Sequence, residues 1–174
     1  MTLTTPLSAF VRDVPDFPKA GILFRDITPL LSHAEAFAEA VAAMAQPVLT
    51  LQPTHVLGLE SRGFIFGSAL AQKLGVGFVP ARKPGKLPMA THKEAYGLEY
   101  GSDALEIHTD AFGPGDRVLI VDDVMATGGT AAAAQRLVQK TGAQPVALTV
   151  FIELTSLPGR AKVEGLPVFS VLRY

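Results

Sequence analysis

The sequence predicts an α/β fold in which a mainly parallel, twisted sheet is flanked by helices, and three observations carry that prediction. Short β-branched runs recur at Thr54–Glu60, Gly77–Arg82, Arg117–Asp122 and Val146–Glu153, with a last one at Val168–Leu172. Helix-like stretches alternate with them. The strand candidates are near-continuously apolar, as in Val118-Leu119-Ile120-Val121, the pattern of strands covered on both faces. In such sheets ligands bind beyond the carboxyl ends of the strands, so the residues after each run are where function is to be sought.

Each helix has a local reason. Ala34–Ala45 follows Ser32-x-x-Glu35, the spacing of a capping box. Phe64–Leu74 stops before Gly75 and Thr130–Thr141 stops at Gly142, glycine being the favoured residue just past a helix end. Two segments stand outside the alternation: Pro15–Leu31, rich in proline and aromatic residues, and Lys83–Asp103, which shows no clear period. Connections longer than about 12–15 residues without structure of their own are uncommon and are usually functional or disordered.

The chain has 174 residues, a length that suits one domain, residues 1–174, with little room for a second core. Hydrophobic residues make up 48% and charged ones 18%, which excludes global disorder. Lysine plus arginine number 15 against 16 acids, so the overall basic excess of a non-specific nucleic-acid binder is missing and any positive site is local. With no cysteine, disulfides, thiolate nucleophiles and cysteine-type zinc sites are excluded, and a reducing compartment is compatible. No basic stretch leading into a long apolar one opens the chain, and no apolar run approaches about 18 residues, so the expectation is a cytoplasmic protein without membrane or nucleic-acid partners. The four histidines, at 33, 55, 92 and 108, have no metal-ligand spacing and read as structural or exposed.

The most informative run is Val118–Thr130, where an apolar strand ends in two acids and a small-residue loop opens a helix. Thr127, Gly128, Gly129 and Thr130 can wrap backbone N–H groups and two hydroxyls around a phosphate at the positive end of that helix. Asp122 and Asp123, adjacent in an extended segment, point to opposite sides, so at least one faces a ligand on the cradle. Carboxylates there suit sugar hydroxyls and Mg²⁺, which one or two carboxylates hold together with substrate oxygens and water. The loop lacks the Gly-Lys-Ser/Thr ending of a P-loop, which disfavours an NTPase. Ser61-Arg62-Gly63, after the first strand run, is a second ready anion site at a helix head.

The Val118–Thr130 run resembles the phosphoribosyl pyrophosphate (PRPP) motif of the type I phosphoribosyltransferases. Phe17–Pro29, Leu59–Gly67, Arg82–Pro88, Leu98–His108 and Glu153–Gly159 resemble segments of the adenine phosphoribosyltransferases within that family, so the likeness spans nearly the whole chain. It implies the type I phosphoribosyltransferase fold, with a small N-terminal hood over about residues 12–31 and a long flexible lid loop over about 83–103. The implied reaction is transfer of the 5-phosphoribosyl group from PRPP to adenine, giving AMP and pyrophosphate, as purine salvage. Mg²⁺ is the implied cofactor and a homodimer the implied assembly.

Roles then follow by resemblance. Asp122, Asp123, Ala126, Thr127, Gly128, Gly129 and Thr130 are expected on the ribose and 5′-phosphate, with Mg²⁺ held mainly through PRPP and reached by the two acids directly or through water. Ser61, Arg62, Gly63, Arg82, Lys83 and Lys86 are expected on pyrophosphate. Leu23 and Arg25 are expected to read adenine through the main chain while Phe24 stacks on it; from the residue alone, Phe24 reads equally as core. Glu99 and Tyr100 fall on the lid, Glu99 as the proton-transfer group, with Tyr100 and Arg62 beside it in the catalytic set. A lid suits this chemistry, because displacement at the anomeric carbon passes through an oxocarbenium-like state that water would intercept. Arg82 is expected near the active site of the partner subunit. The alternatives are a phosphoribosyltransferase for another purine and a PRPP-responsive regulator on the same fold. The hood sequence opposes the first, and the retained lid without an appended helix-turn-helix opposes the second.

Overall fold

The computed structural model describes residues 4–97 and 102–174, and these fall into two compact units divided between Ala43 and Met44. In the first unit β1 (Arg12–Pro15) and β2 (Leu23–Asp26) form an antiparallel pair in which Phe24 lies opposite Val14. Phe17 and Phe24 meet edge to face, with ring centroids 5.1 Å apart. Two helices follow, α1 (Thr28–Ser32) and α2 (Ala34–Ala45). The α2 range matches expectation, but its cap does not. Ser32 belongs to α1 and its Oγ donates to the Pro29 carbonyl, while His33 Nδ1 accepts from the Ala36 N–H at 3.2 Å. Pro29 starts a helix of its own, which moves the cap one residue on and gives His33 a structural task.

The second unit contains β3 (His55–Leu59), α3 (Gly63–Leu74), β4 (Gly77–Ala81), β5 (Thr91–Gly97), β6 (Ser102–His108), β7 (Arg117–Met125), α4 (Gly129–Lys140), β8 (Gln144–Glu153), α5 (Gly159–Lys162) and β9 (Val168–Arg173). Five of the strands make one sheet in the order β4-β3-β7-β8-β9, with every neighbouring pair parallel. Val118, Leu119, Ile120 and Val121 are fully buried, as strands covered on both faces require. From β3 the chain winds outward to β4, and it returns to the opposite side of β3 at β7. That reversal is the topological switch point, where α/β sheets open a crevice at their carboxyl ends.

Lys83–Asp103 is more ordered than its sequence pattern implies. Thr91–Gly97 pairs antiparallel with Ser102–His108, and Arg82 bridges Glu106 at the base of this ribbon. Its β6 strand buries Leu105 and Ile107 in the core, while β5 adds polar ties: Glu94 lies 2.6 Å from Lys140 Nζ and 3.0 Å from Arg136 Nε, both on α4. In β5 the ion-paired residues mask any hydrophobic alternation, and in β6 the alternation is confined to Leu105 and Ile107, too short a run to read as a strand. Glu99 and Tyr100 lie outside the described residues.

Candidate active site

β7 carries its apolar register through both acids to Met125, so the chain leaves the sheet at Ala126 and turns into α4 at Gly129. Asp122, Ala126, Thr127, Gly128 and Thr130 line one pocket together with Val124 and Met125. Gly128 has φ +76°, a conformation that side-chain-bearing residues rarely adopt, and no side chain caps the helix behind it. The N–H groups of the first turn of α4 are therefore available to an anion, with the helix dipole in its favour.

Asp123 is 4% exposed and its Oδ2 lies 2.8 Å from Arg62 Nε. Asp122 Oδ1 accepts the Asp123 N–H at 2.9 Å. Burial lifts the Asp122 carboxyl well above its ordinary range, and the adjacent Asp123 charge lifts it further. Burial raises Asp123 as well, against the pull of the Arg62 guanidinium. Such a pair gains from hydroxyl donors or from a cation. Among the described residues no cluster of three or more His, Cys, Asp or Glu forms a metal site. A divalent ion at these acids would draw its other ligands from substrate and water, the mode that suits Mg²⁺.

The turn after β3 faces this strand end. A Cβ on Gly63 would stand 2.8 Å from the Val121 carbonyl and 2.9 Å from Asp122 Oδ1, so only glycine lets the head of α3 approach the acids this closely. The Glu60–Ser61 peptide is cis and Ser61 is exposed. Sequence reasoning missed Glu60, whose Oε2 accepts the Lys83 N–H at 2.7 Å and lies 3.4 Å from Arg82 Nε. Burial alone would raise Glu60, but the Lys83 N–H and the Arg82 guanidinium outweigh it and hold the carboxyl below its usual value. Glu60 thus joins the Ser61–Gly63 turn to Arg82–Lys83, a link across 23 positions that no local spacing reveals.

Lys83 Nζ bonds Asp103 and donates to the Tyr96 hydroxyl at 2.9 Å, within the β5–β6 ribbon. Its partners outweigh burial, Asp103 first and then Tyr96, and keep the ammonium charged. Lys86 is exposed, and its carbonyl accepts from Arg82 Nη1. The second unit therefore brings Arg62, Gly63, Asp122 and Asp123 together, with Arg82 and Lys83 tied in through Glu60. In the first unit Leu23 is exposed, Phe24 is half-buried against Phe17, and Arg25 pairs with Asp13.

Residues 28–167 match the phosphoribosyl transferase domain family. The adenine phosphoribosyltransferase of Carboxydothermus hydrogenoformans is 55% identical over 97% of this chain and 99% of its own length. The chain belongs to the adenine phosphoribosyltransferases. Solved members of that family agree in fold: the adenine phosphoribosyltransferase of Rhodothermus marinus, 52% identical, superposes with a TM-score of 0.92 over 97% of this chain and 96% of that one. That of Saccharomyces cerevisiae, solved with an imino-altritol bisphosphate and adenine, is 43% identical, with a TM-score of 0.91 over 95% and 96% of the two chains.

Proposed function

We propose that this protein transfers the 5-phosphoribosyl group of PRPP to adenine, giving AMP and pyrophosphate. The carrying observation is the switch-point constellation: an uncapped helix head at Gly128–Thr130, two acids beside it, Asp123 buried and Asp122 half-buried, and Arg62 against Asp123. The N–H groups and hydroxyls of Ala126–Thr130 hold the 5′-phosphate. Asp122 and Asp123 accept from the ribose hydroxyls, and the cost of their burial is offset when donors or a cation arrive. Arg62 leans on Asp123 in the free protein and turns its charge to pyrophosphate in the complex, with Ser61 and Gly63 supplying main-chain donors. Lys83 and Lys86 add positive charge to the same face, and Arg82 brings its charge to the pyrophosphate of the partner's site.

Asp122 and Asp123 would hold Mg²⁺ directly or through water, together with PRPP, and the ion would supply charge compensation for the departing pyrophosphate. Adenine is read by the main chain of Leu23 and Arg25, with Phe24 on the ring. As the C1′–oxygen bond opens, the electron pair leaves with pyrophosphate, a ring nitrogen of adenine forms the new bond to C1′, and its proton passes toward Glu99 on the lid beside Tyr100. The enzyme acts as a cytoplasmic homodimer, in which Arg82 reaches the partner's active site. Hood, sheet and lid work as one phosphoribosyltransferase domain over residues 1–174.

Incubation with PRPP, adenine and Mg²⁺, followed by chromatography, yields equal amounts of AMP and pyrophosphate. Chelation abolishes both and added Mg²⁺ restores them. AMP formed without PRPP, or none formed in the complete mixture, overturns the proposal.

A further inference from the structure

We propose that Arg160 is a positioning residue for the phosphate-holding loop: it grips Glu153 with two hydrogen bonds and thereby seats Gly159 against the backbone of Ala126–Gly128. The inference rests on reading that loop as the 5′-phosphate cradle. Glu153 closes β8 and pairs in register with Met125, the last residue of β7, so it lies at the base of the loop. Its carboxylate is buried and accepts from Arg160 Nε at 2.5 Å, Arg160 Nη2 at 2.8 Å and Ser170 Oγ at 2.6 Å. A bidentate guanidinium–carboxylate pair fixes direction as well as distance. Arg160 Nη1 also donates to the Val168 carbonyl at 3.0 Å, which ties the guanidinium to β9.

The residue before Arg160 touches the loop from behind. A Cβ on Gly159 would stand 2.5 Å from the Ala126 carbonyl oxygen and 3.1 Å from Met125 Cγ, and a Cβ on Gly128 would collide with the Gly159 carbonyl. Two glycine backbones are thus in direct contact. Within α5 only Gly159 is buried, and four residues are too few for a helix to hold itself by its own hydrogen bonds. The start of the segment is pinned separately, since the Thr155 N–H and hydroxyl both donate to the Tyr174 carbonyl at 2.7 Å. Loss of the Arg160 grip therefore frees residues 156–160 without unpinning the sheet. The N–H groups of Ala126–Gly128 then lose their fixed backing, and the effect falls on the phosphate-bearing substrate and not on the base.

Four variants test this, with KM for PRPP, KM for adenine at saturating PRPP, kcat, and calorimetric binding of ribose 5-phosphate as readouts. R160Q raises KM for PRPP and Kd for ribose 5-phosphate about tenfold, the scale of a displaced binding group. KM for adenine and kcat stay within about twofold, the pattern of lost uniform binding. R160K, with the charge but not the fork, falls between R160Q and wild type. G159A gives the R160Q signature by pushing on the Ala126 carbonyl. R173Q removes a cation 3.4 Å from the same carboxylate that carries no part of the loop, and it behaves as wild type. Equal rises in both KM values with a fall in Tm, or R173Q matching R160Q, overturns the proposal. Wild type that binds no ribose 5-phosphate removes the reading of the loop and this inference with it, whereas equal binding by wild type and R160Q removes the inference alone.

Discussion

Asp123 is buried beside Arg62 and follows another acid; burial raises its carboxyl above the ordinary range and the Arg62 guanidinium opposes that rise. D123N keeps the shape and removes the charge. A hydrogen bond to a charged group contributes about 1.5–3 kcal/mol, and about 1.4 kcal/mol is tenfold, so steady-state kinetics should show KM for PRPP raised roughly 10–100-fold. An unchanged KM would take Asp123 out of the ribose site. F24A tests the base in the same way: aromatic stacking on a base contributes about 1–3 kcal/mol, so KM for adenine rises while KM for PRPP stays put. A rise in the PRPP value alone would assign Phe24 elsewhere. The two acids and the Thr127–Thr130 loop announce themselves because their chemistry is contiguous. Glu60 and Arg160 do not, since each acts through a contact that exists only after folding, Glu60 on Lys83 and Arg160 on Glu153. The expectation that Phe24 stacks on a base comes from the family resemblance alone, since an aromatic residue in a short strand reads equally as core.

The strands of the large sheet and the helices between them were readable to within a few residues, because burial on both faces leaves a continuous apolar run. The β5–β6 ribbon was not, since Glu94 ties β5 to Arg136 and Lys140 by charge, which carries no period, and the apolar alternation of β6 is only Leu105 and Ile107. Its dependence on pH follows. The Lys140 contact chiefly holds the Glu94 carboxyl below its usual value, with burial opposing and Arg136 assisting. A depressed carboxylate contributes stability above its unfolded value, 4.5, and loses it as pH falls through the lower folded value. Because both cations are about half exposed, the contribution is small, roughly 0.2–1 kcal/mol for each pair. Urea unfolding at neutral pH should therefore find E94Q less stable than wild type by about 0.5–1 kcal/mol, with the gap closing below pH 4.5. A gap that persists at low pH would mean that the glutamate acts by packing and not by charge.

Taken whole, the molecule places its chemistry where sheet topology puts it. The order β4-β3-β7-β8-β9 reverses between β3 and β7, and Arg62 and the two acids stand at the ends of those two strands. Alternating strands and helices predict this kind of sheet, but strand order is set by crossovers that leave no local trace. Assembly belongs to this scale too. Sedimentation equilibrium should give twice the 18.4 kDa chain mass, and mixed dimers of R82A and E99A subunits should regain activity that neither homodimer has. A monomer, or mixed dimers without activity, would remove Arg82 from the partner's site. The central claim is base-specific phosphoribosyl transfer. The most direct measurement of it is product formation from PRPP and Mg²⁺ with adenine, hypoxanthine, guanine or xanthine in separate reactions, resolved by chromatography. AMP from adenine and no nucleotide from the three oxopurines is the predicted result, and product from an oxopurine with none from adenine would contradict it.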